Sequence, residues 1–307
     1  MKRTSRLYND LLELLKQSDW VDQRHLQTLV WMVLGLICAG CVNLTQWTAY
    51  TQSRAKIAQS HQRRFSRWLH NSRINVHRLY SPIIKQSLKG WGESTLVLLL
   101  DTSMLWNQYC LVRLAVQYRG RAIPVTWRVG EALLLEGVQI TKTNLYGGVH
   151  LALAHDPISG ERWYIVSDEP TTLQTFREYG QRFNIEEEFL DEKSNGFQLE
   201  SSCLRSTVAL SRLCLVLAVT TLFLCVQGQQ VVANRLRRQV DCHWHRGNSY
   251  LRLGWDWVRG VLHKGWKLFR TLQLQGQPDP QTARASQKQL AKHYERAFTV
   301  QSFHYVF

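Results

Sequence analysis

The chain has 307 residues, enough for one large or two modest domains, and its apolar (45%) and charged (20%) fractions are those of a globular protein. The formal net charge is +15 and unevenly spread: residues 23–92 hold ten Lys or Arg and no acid, and residues 194–307 hold fifteen against five acids. That imbalance points to a polyanionic partner, nucleic acid first. Seven cysteines without framework spacing exclude a disulfide scaffold and point to a reduced, cytoplasmic protein.

From the N-terminus, "MKRTSRLYNDLLELLKQ" places its apolar residues at helical spacing among polar ones, which reads as an amphipathic helix rather than a secretory leader. "LVWMVLGLICAGCVNL" (29–44) falls short of the roughly 20 residues that a membrane span needs. "STVALSRLCLVLAVTTLFLCVQG" (206–228) is long enough only with Arg212 inside, which costs a few kcal/mol in a bilayer. Both are expected to be buried core helices, with no membrane partner. Cys38 and Cys41 form a C-x-x-C with no second pair or His set, so neither zinc nor redox use is expected. Residues 1–92 read as a helical basic region. In it, Phe65, Trp68 and Leu69 would pack inward while Arg63, Arg64 and Arg67 point outward to meet phosphate.

The pattern then changes. "STLVLLLD" (94–101) is a continuous apolar run, expected to be a buried strand with Asp101 at its exit. Residues 110–129 read as two strands about a "YRGR" turn, and "ALLLEGVQI", "VHLALAHD" and "RWYIVSD" as three more. If "YGQRFNIEEEFLDEK" (179–193) is helical, then Tyr179, Arg182, Glu186 and Lys193 lie at i, i+3, i+7 and i+14, within roughly 60° of one another. A phenol, guanidinium, carboxylate and ammonium on one face suit a phosphodiester: the carboxylate holds a divalent metal while the cations grip phosphate. Glu187, Glu188, Asp191 and Glu192 read as a solvated flank. The rest is largely helical, with a loose tail after Gly276. Cys242, His243 and His245 crowd their donor atoms and read as a loop before the helix of Trp255, Trp257 and Val258.

Tyr-(2)-Arg-(3)-Glu-(6)-Lys is the signature of the insertion-sequence-four branch of bacterial transposases, which this stretch resembles at every position. "LLLDTSMLWNQYCLV", "GERWYIVSDEPTTLQT" and "HWHRGNSYLRLGWDWVRGVLHKG" resemble the family's first-aspartate strand, the approach to its glutamate helix and its C-terminal helical segment. The resemblance implies an α/β fold with an RNase H-like core, in which two aspartates and a glutamate bind two Mg²⁺ (or Mn²⁺) ions for DNA strand cleavage and strand transfer. Asp101 matches the first aspartate and Glu186 the glutamate, as catalytic and metal-binding residues. Tyr179, Arg182 and Lys193 match residues that engage element-end DNA, and the basic region would hold the terminal inverted repeat, with two protomers pairing on DNA. The implied division is a helical DNA-binding region over 1–92, a core with part of a β insertion over 93–228, and a helical C-terminal region with the tail over 229–307.

One part of the family pattern is missing. The second aspartate belongs on a core strand between Asp101 and Glu186, which here are only 85 residues apart (186 − 101). The match runs through "AIPVTWRV" and then jumps, as an internal deletion near Val129–Gly130 would leave it. Among the remaining acids, Asp156, Glu131 and Glu136 are poor substitutes and Asp168 the least implausible. The expectation is therefore a transposase by descent, catalytically defective, with apolar surface uncovered and strand edges unpaired by the loss. The alternative is a non-catalytic DNA-binding remnant or an inhibitor of an intact transposase.

Overall fold

The computed structural model describes residues 2–16, 18, 20–53, 55–92, 96–106, 108–131, 150–155, 162–167, 170–172, 175, 179, 183–193 and 196–282. The chain divides into two compact units, one of residues 1–132 with 184–282, the other of 133–183 with 283–307.

The first unit opens with helices. In α1 (Lys2–Leu15), Leu7, Leu11, Leu14 and Leu15 form one buried stripe. α2 (Gln23–Ala39) starts at Asp22, whose carboxylate accepts from the Arg24 amide, and stops at Gly40, whose φ of 73° closes the helix. α3 (Leu44–Trp47) is one turn, and its Trp47 is fully buried against Gly35, where a Cβ would lie 2.6 Å from that of Trp47. α4 (Ala58–Leu69) and α5 (Val76–Ser87) complete the expected helical region.

A three-stranded antiparallel meander follows: β1 (Leu98–Leu105), β2 (Tyr109–Tyr118) and β3 (Arg121–Glu131), in that order. The β2–β3 hairpin turns at Arg119 and Gly120, both at positive φ (49° and 79°), the geometry a two-residue hairpin turn requires. The "YRGR" turn thus lies where the sequence put it. β1 differs from expectation. It runs on to Leu105, because β2 pairs with it along its whole length, and Asp101 stands mid-strand opposite Arg113 instead of at the exit. Nor is the strand buried on both faces. Leu99 and Leu105 are buried with Leu111, Arg113 and Ala115 of β2, whereas Leu98 (56%), Leu100 (67%) and Met104 (39%) are exposed on the other side beside Val112. Among the described residues no strand pairs with the second edge of β1.

α6 (Phe183–Lys193), all but its first residue, α7 (Thr207–Ala233) and α8 (Tyr250–Lys264) complete this unit. α7 is buried all round and packs against α2, α4, α5, α8 and β3. By length and composition it could cross a membrane, yet 89% of its most apolar window is buried inside the fold. Its Arg212 donates to the carbonyls of Leu69 (2.9 Å) and Ile74 (3.1 Å), so the charge that argued against a span is satisfied within the core. α7 and α8 meet backbone to backbone: a Cβ on Gly228 would strike the Tyr250 carbonyl, and one on Gly254 the Leu224 carbonyl. Beyond α8, residues 265–282 form neither helix nor strand. The chain is not loose as far as residue 282: the Leu274 amide donates to the Ser87 carbonyl, the Leu274 carbonyl accepts from the Trp91 indole, and Asp279 accepts from Arg246 and Tyr250.

In the second unit β4 (His150–His155) and β5 (Arg162–Ser167) pair antiparallel, with His150 opposite Ser167. The strand expected in "ALLLEGVQI" lies outside the described residues. The fold as a whole is mixed α/β.

Candidate functional site

α6 carries Ile185, Glu188, Phe189 and Glu192 at i, i+3, i+4 and i+7, and all four are buried. What receives the two carboxylates is Arg113 of β2, itself fully buried. Its guanidinium lies 3.0 Å from Glu188 Oε1 and 2.8 Å from Glu192 Oε2, with the Phe189 ring 5.3 Å away. Glu188 and Glu192 are therefore no solvated flank, because they belong to the same stripe as the apolar residues that hold α6 to the sheet. The sequence did contain a signal for this: Arg113 interrupts the apolar run "CLVRLAV", and a charge buried there needs a counter-charge.

Burial pushes the Glu188 carboxyl up to about 8 against the pull of Arg113, and raises Glu192 as well. For Arg113 burial works against the cation, but Glu192 and Glu188 outweigh it and hold the guanidinium charged. Two carboxylates on one cation leave a net negative charge in a dry interior, and one retained proton removes it. Tyr80 lies near this group, its hydroxyl donating to the Pro124 carbonyl at 2.8 Å and held protonated by burial and the nearby Glu188.

Directly opposed residues on antiparallel strands point to the same side. Asp101 therefore shares the face of Arg113, the face covered by α6. It is half-buried, and its Oδ1 accepts from the Thr102 amide at 2.8 Å. Glu186 is half-buried on α6 itself, next to the buried stripe. Lys193 is anchored, its ammonium donating to the Met104 carbonyl and lying 3.7 Å from Glu200. Tyr179 is half-buried in the other unit, while Arg182, Asp156, Asp168 and Glu136 lie outside the described residues, as does the side chain of Glu131. Along α4, Phe65, Trp68 and Leu69 are buried and Arg63 and Arg67 exposed, as expected. Arg64 departs from the expectation: half-buried, it donates to Thr28 Oγ1 at 3.0 Å. Position 64 lies on the stripe of His61, Phe65 and Trp68, so its side chain is directed over α2.

Asp101 lies on the sheet face that α6 covers, the face of the permanent cation of Arg113, and Glu186 lies on α6 itself. Among the described residues only Asp241, Cys242 and His243 bring three such donor atoms within 4.8 Å of one another. There the Asp241 carboxylate is already engaged by Arg237 and by the amides of His243 and Gly247. The described donors do not fit a two-metal centre. The chain matches no protein-family model and no curated protein.

Proposed function

We propose that this chain is a DNA-binding protein descended from an insertion-sequence transposase, lacking the strand-cleavage and strand-transfer chemistry of its ancestor. The observation that carries this reading is the common face of Asp101 and α6, the helix of Glu186, together with residues 23–92, which hold ten cations and no acid. In this reading the β1–β2–β3 meander is the start of an RNase H-like sheet, and the second edge of β1 is where a lost strand with the second aspartate once added. Mg²⁺ or Mn²⁺ would supply activated water and leaving-group stabilisation in a complete site. Asp101 and Glu186, two carboxylates where such a step needs three, give no basis for it here. The residues left with work to do are Arg63 and Arg67, which meet backbone phosphate, together with Tyr179, Arg182 and Lys193 of the signature. Pairing on DNA with a second copy, or with an intact relative, follows from the same descent.

The purified chain, mixed with duplex carrying the repeats that flank its gene, is expected to bind with steep salt dependence and to leave the strands uncut in Mg²⁺ or Mn²⁺. No binding at low salt sinks the reading. Mg²⁺-dependent nicking that Asp101→Asn abolishes would show that the catalytic site is intact after all.

A further inference from the structure

Between α7 and α8, residues 234–249 form a loop held from within by two buried arginines. Arg237 donates to Asp241 Oδ2 at 2.9 Å and to the carbonyls of His243 (2.8 Å), Trp244 (3.0 Å) and His245 (3.3 Å). Asp241 in turn accepts from the amides of His243 (3.1 Å) and Gly247 (3.2 Å). Arg246 turns the other way, donating to the Asn248 carbonyl, Asp279 and the Gln281 carbonyl over the Tyr250 ring. None of these bonds uses the Trp244 side chain, which stands 86% exposed. Arg238, also exposed, donates to the Cys242 and His243 carbonyls and lies with its guanidinium carbon 5.1 Å from the Trp244 ring centroid. Arg235, His243 and His245 of the same loop are also exposed, and its one acid, Asp241, is buried on Arg237 and in contact with the His243 ring.

An exposed indole on a preformed loop, one face under the Arg238 guanidinium and the loop's one acid buried, has the character of a stacking platform. We infer that Trp244 stacks on an unpaired nucleobase of single-stranded or distorted DNA, with Arg238 and Arg235 at the adjoining phosphates. The base must be unpaired, because a duplex keeps its π-faces covered. A membrane surface fits less well: the residues around this single indole are polar or charged, and interfacial binding scales with buried apolar area. The inference rests on the DNA-binding reading and narrows it to a second contact, separate from α4.

The test is fluorescence anisotropy of the full chain with a labelled mixed-sequence single strand and with the blunt duplex of the same sequence. Trp244→Ala is expected to weaken single-strand binding about tenfold, in the range found for lost base stacking, and to change duplex binding less than about twofold. Trp244→Phe restores most of the loss. The paired change Arg63→Ala and Arg67→Ala weakens both probes alike. Thermal melting of Trp244→Ala matches wild type, because Arg237 and Arg246 hold the loop. Equal loss on both probes, or no loss on the single strand while wild type binds, overturns the inference and leaves the DNA-binding reading standing. Wild type binding neither probe overturns both. A loss confined to phosphatidylserine-containing vesicles assigns the loop to a lipid surface instead and overturns the inference.

Discussion

Arg113 and its two carboxylates concentrate the most charge in the interior of the first unit, and their behaviour follows from burial. An unfolded glutamate releases its proton near pH 4.5, whereas Glu188 in the fold holds it to about 8. Between these values the folded chain carries a proton that the unfolded chain has lost, so stability falls as pH rises through that window and levels off above it. Thermal melts from about pH 5 to about pH 9 are expected to show this decline, and Glu188→Gln should flatten it and raise the melting point at the alkaline end. A melting point that rises with pH across this range would contradict the buried, protonated Glu188. Arg113→Met leaves the carboxylates without their cation and is expected to cost about 3 kcal/mol in denaturant unfolding at neutral pH. The triple change Arg113→Met, Glu188→Leu and Glu192→Leu removes the whole group and is expected to be near neutral or stabilising. A triple variant as unstable as the single one would mean that the ion group contributes more than charge balance.

At the level of elements, the α7–α8 crossing depends on two glycines. Because a Cβ at either Gly228 or Gly254 meets backbone carbonyl rather than a movable side chain, Gly228→Ala or Gly254→Ala must push the helices apart. Each is expected to destabilise by about 1–3 kcal/mol in denaturant titration, despite alanine's better helix propensity. Wild-type stability in either variant would show that the helices are not in backbone contact. β1 has the opposite problem, too little packing. Leu98, Leu100 and Met104 face outward, and on the described residues the strand's second edge has no partner strand. Exposed apolar strands of this kind promote association. Leu98→Glu with Leu100→Glu should lower self-association in analytical ultracentrifugation and change the melting point by only a few degrees.

For the molecule as a whole, the charge asymmetry predicts how DNA affinity responds to salt. If Arg63 and Arg67 each neutralise a phosphate, replacing both with alanine should reduce the slope of log K against log salt by about 2 on duplex DNA. An unchanged slope would place the phosphate contacts elsewhere on the basic surface. Arg64→Ala, by contrast, removes a hydrogen bond to Thr28 and is expected to lower stability more than the salt slope.

Local periodicity and turn chemistry made much of this legible in advance. The helical character of residues 1–92, the Arg119–Gly120 hairpin, the inward stripe of Phe65, Trp68 and Leu69, and α7 as a core helix follow from apolar spacing and turn residues, which act over neighbouring residues, whereas the run 29–44, expected as one helix, breaks at Gly40 into α2 and α3. The side chain each charge would meet was not legible, because that depends on residues far apart in the chain. Helical spacing drew attention to Glu186 and dismissed Glu188 and Glu192; only packing against the sheet brought Arg113 within 3.0 Å of Glu188, 75 residues away. In the same way composition marked residues 194–307 as basic, but only the folded loop turned Arg237 and Arg246 inward and left Trp244 and Arg238 exposed. The sequence by itself determined the elements and the overall charge. The tertiary structure decided which charges are buried, because desolvation is imposed by distant parts of the chain.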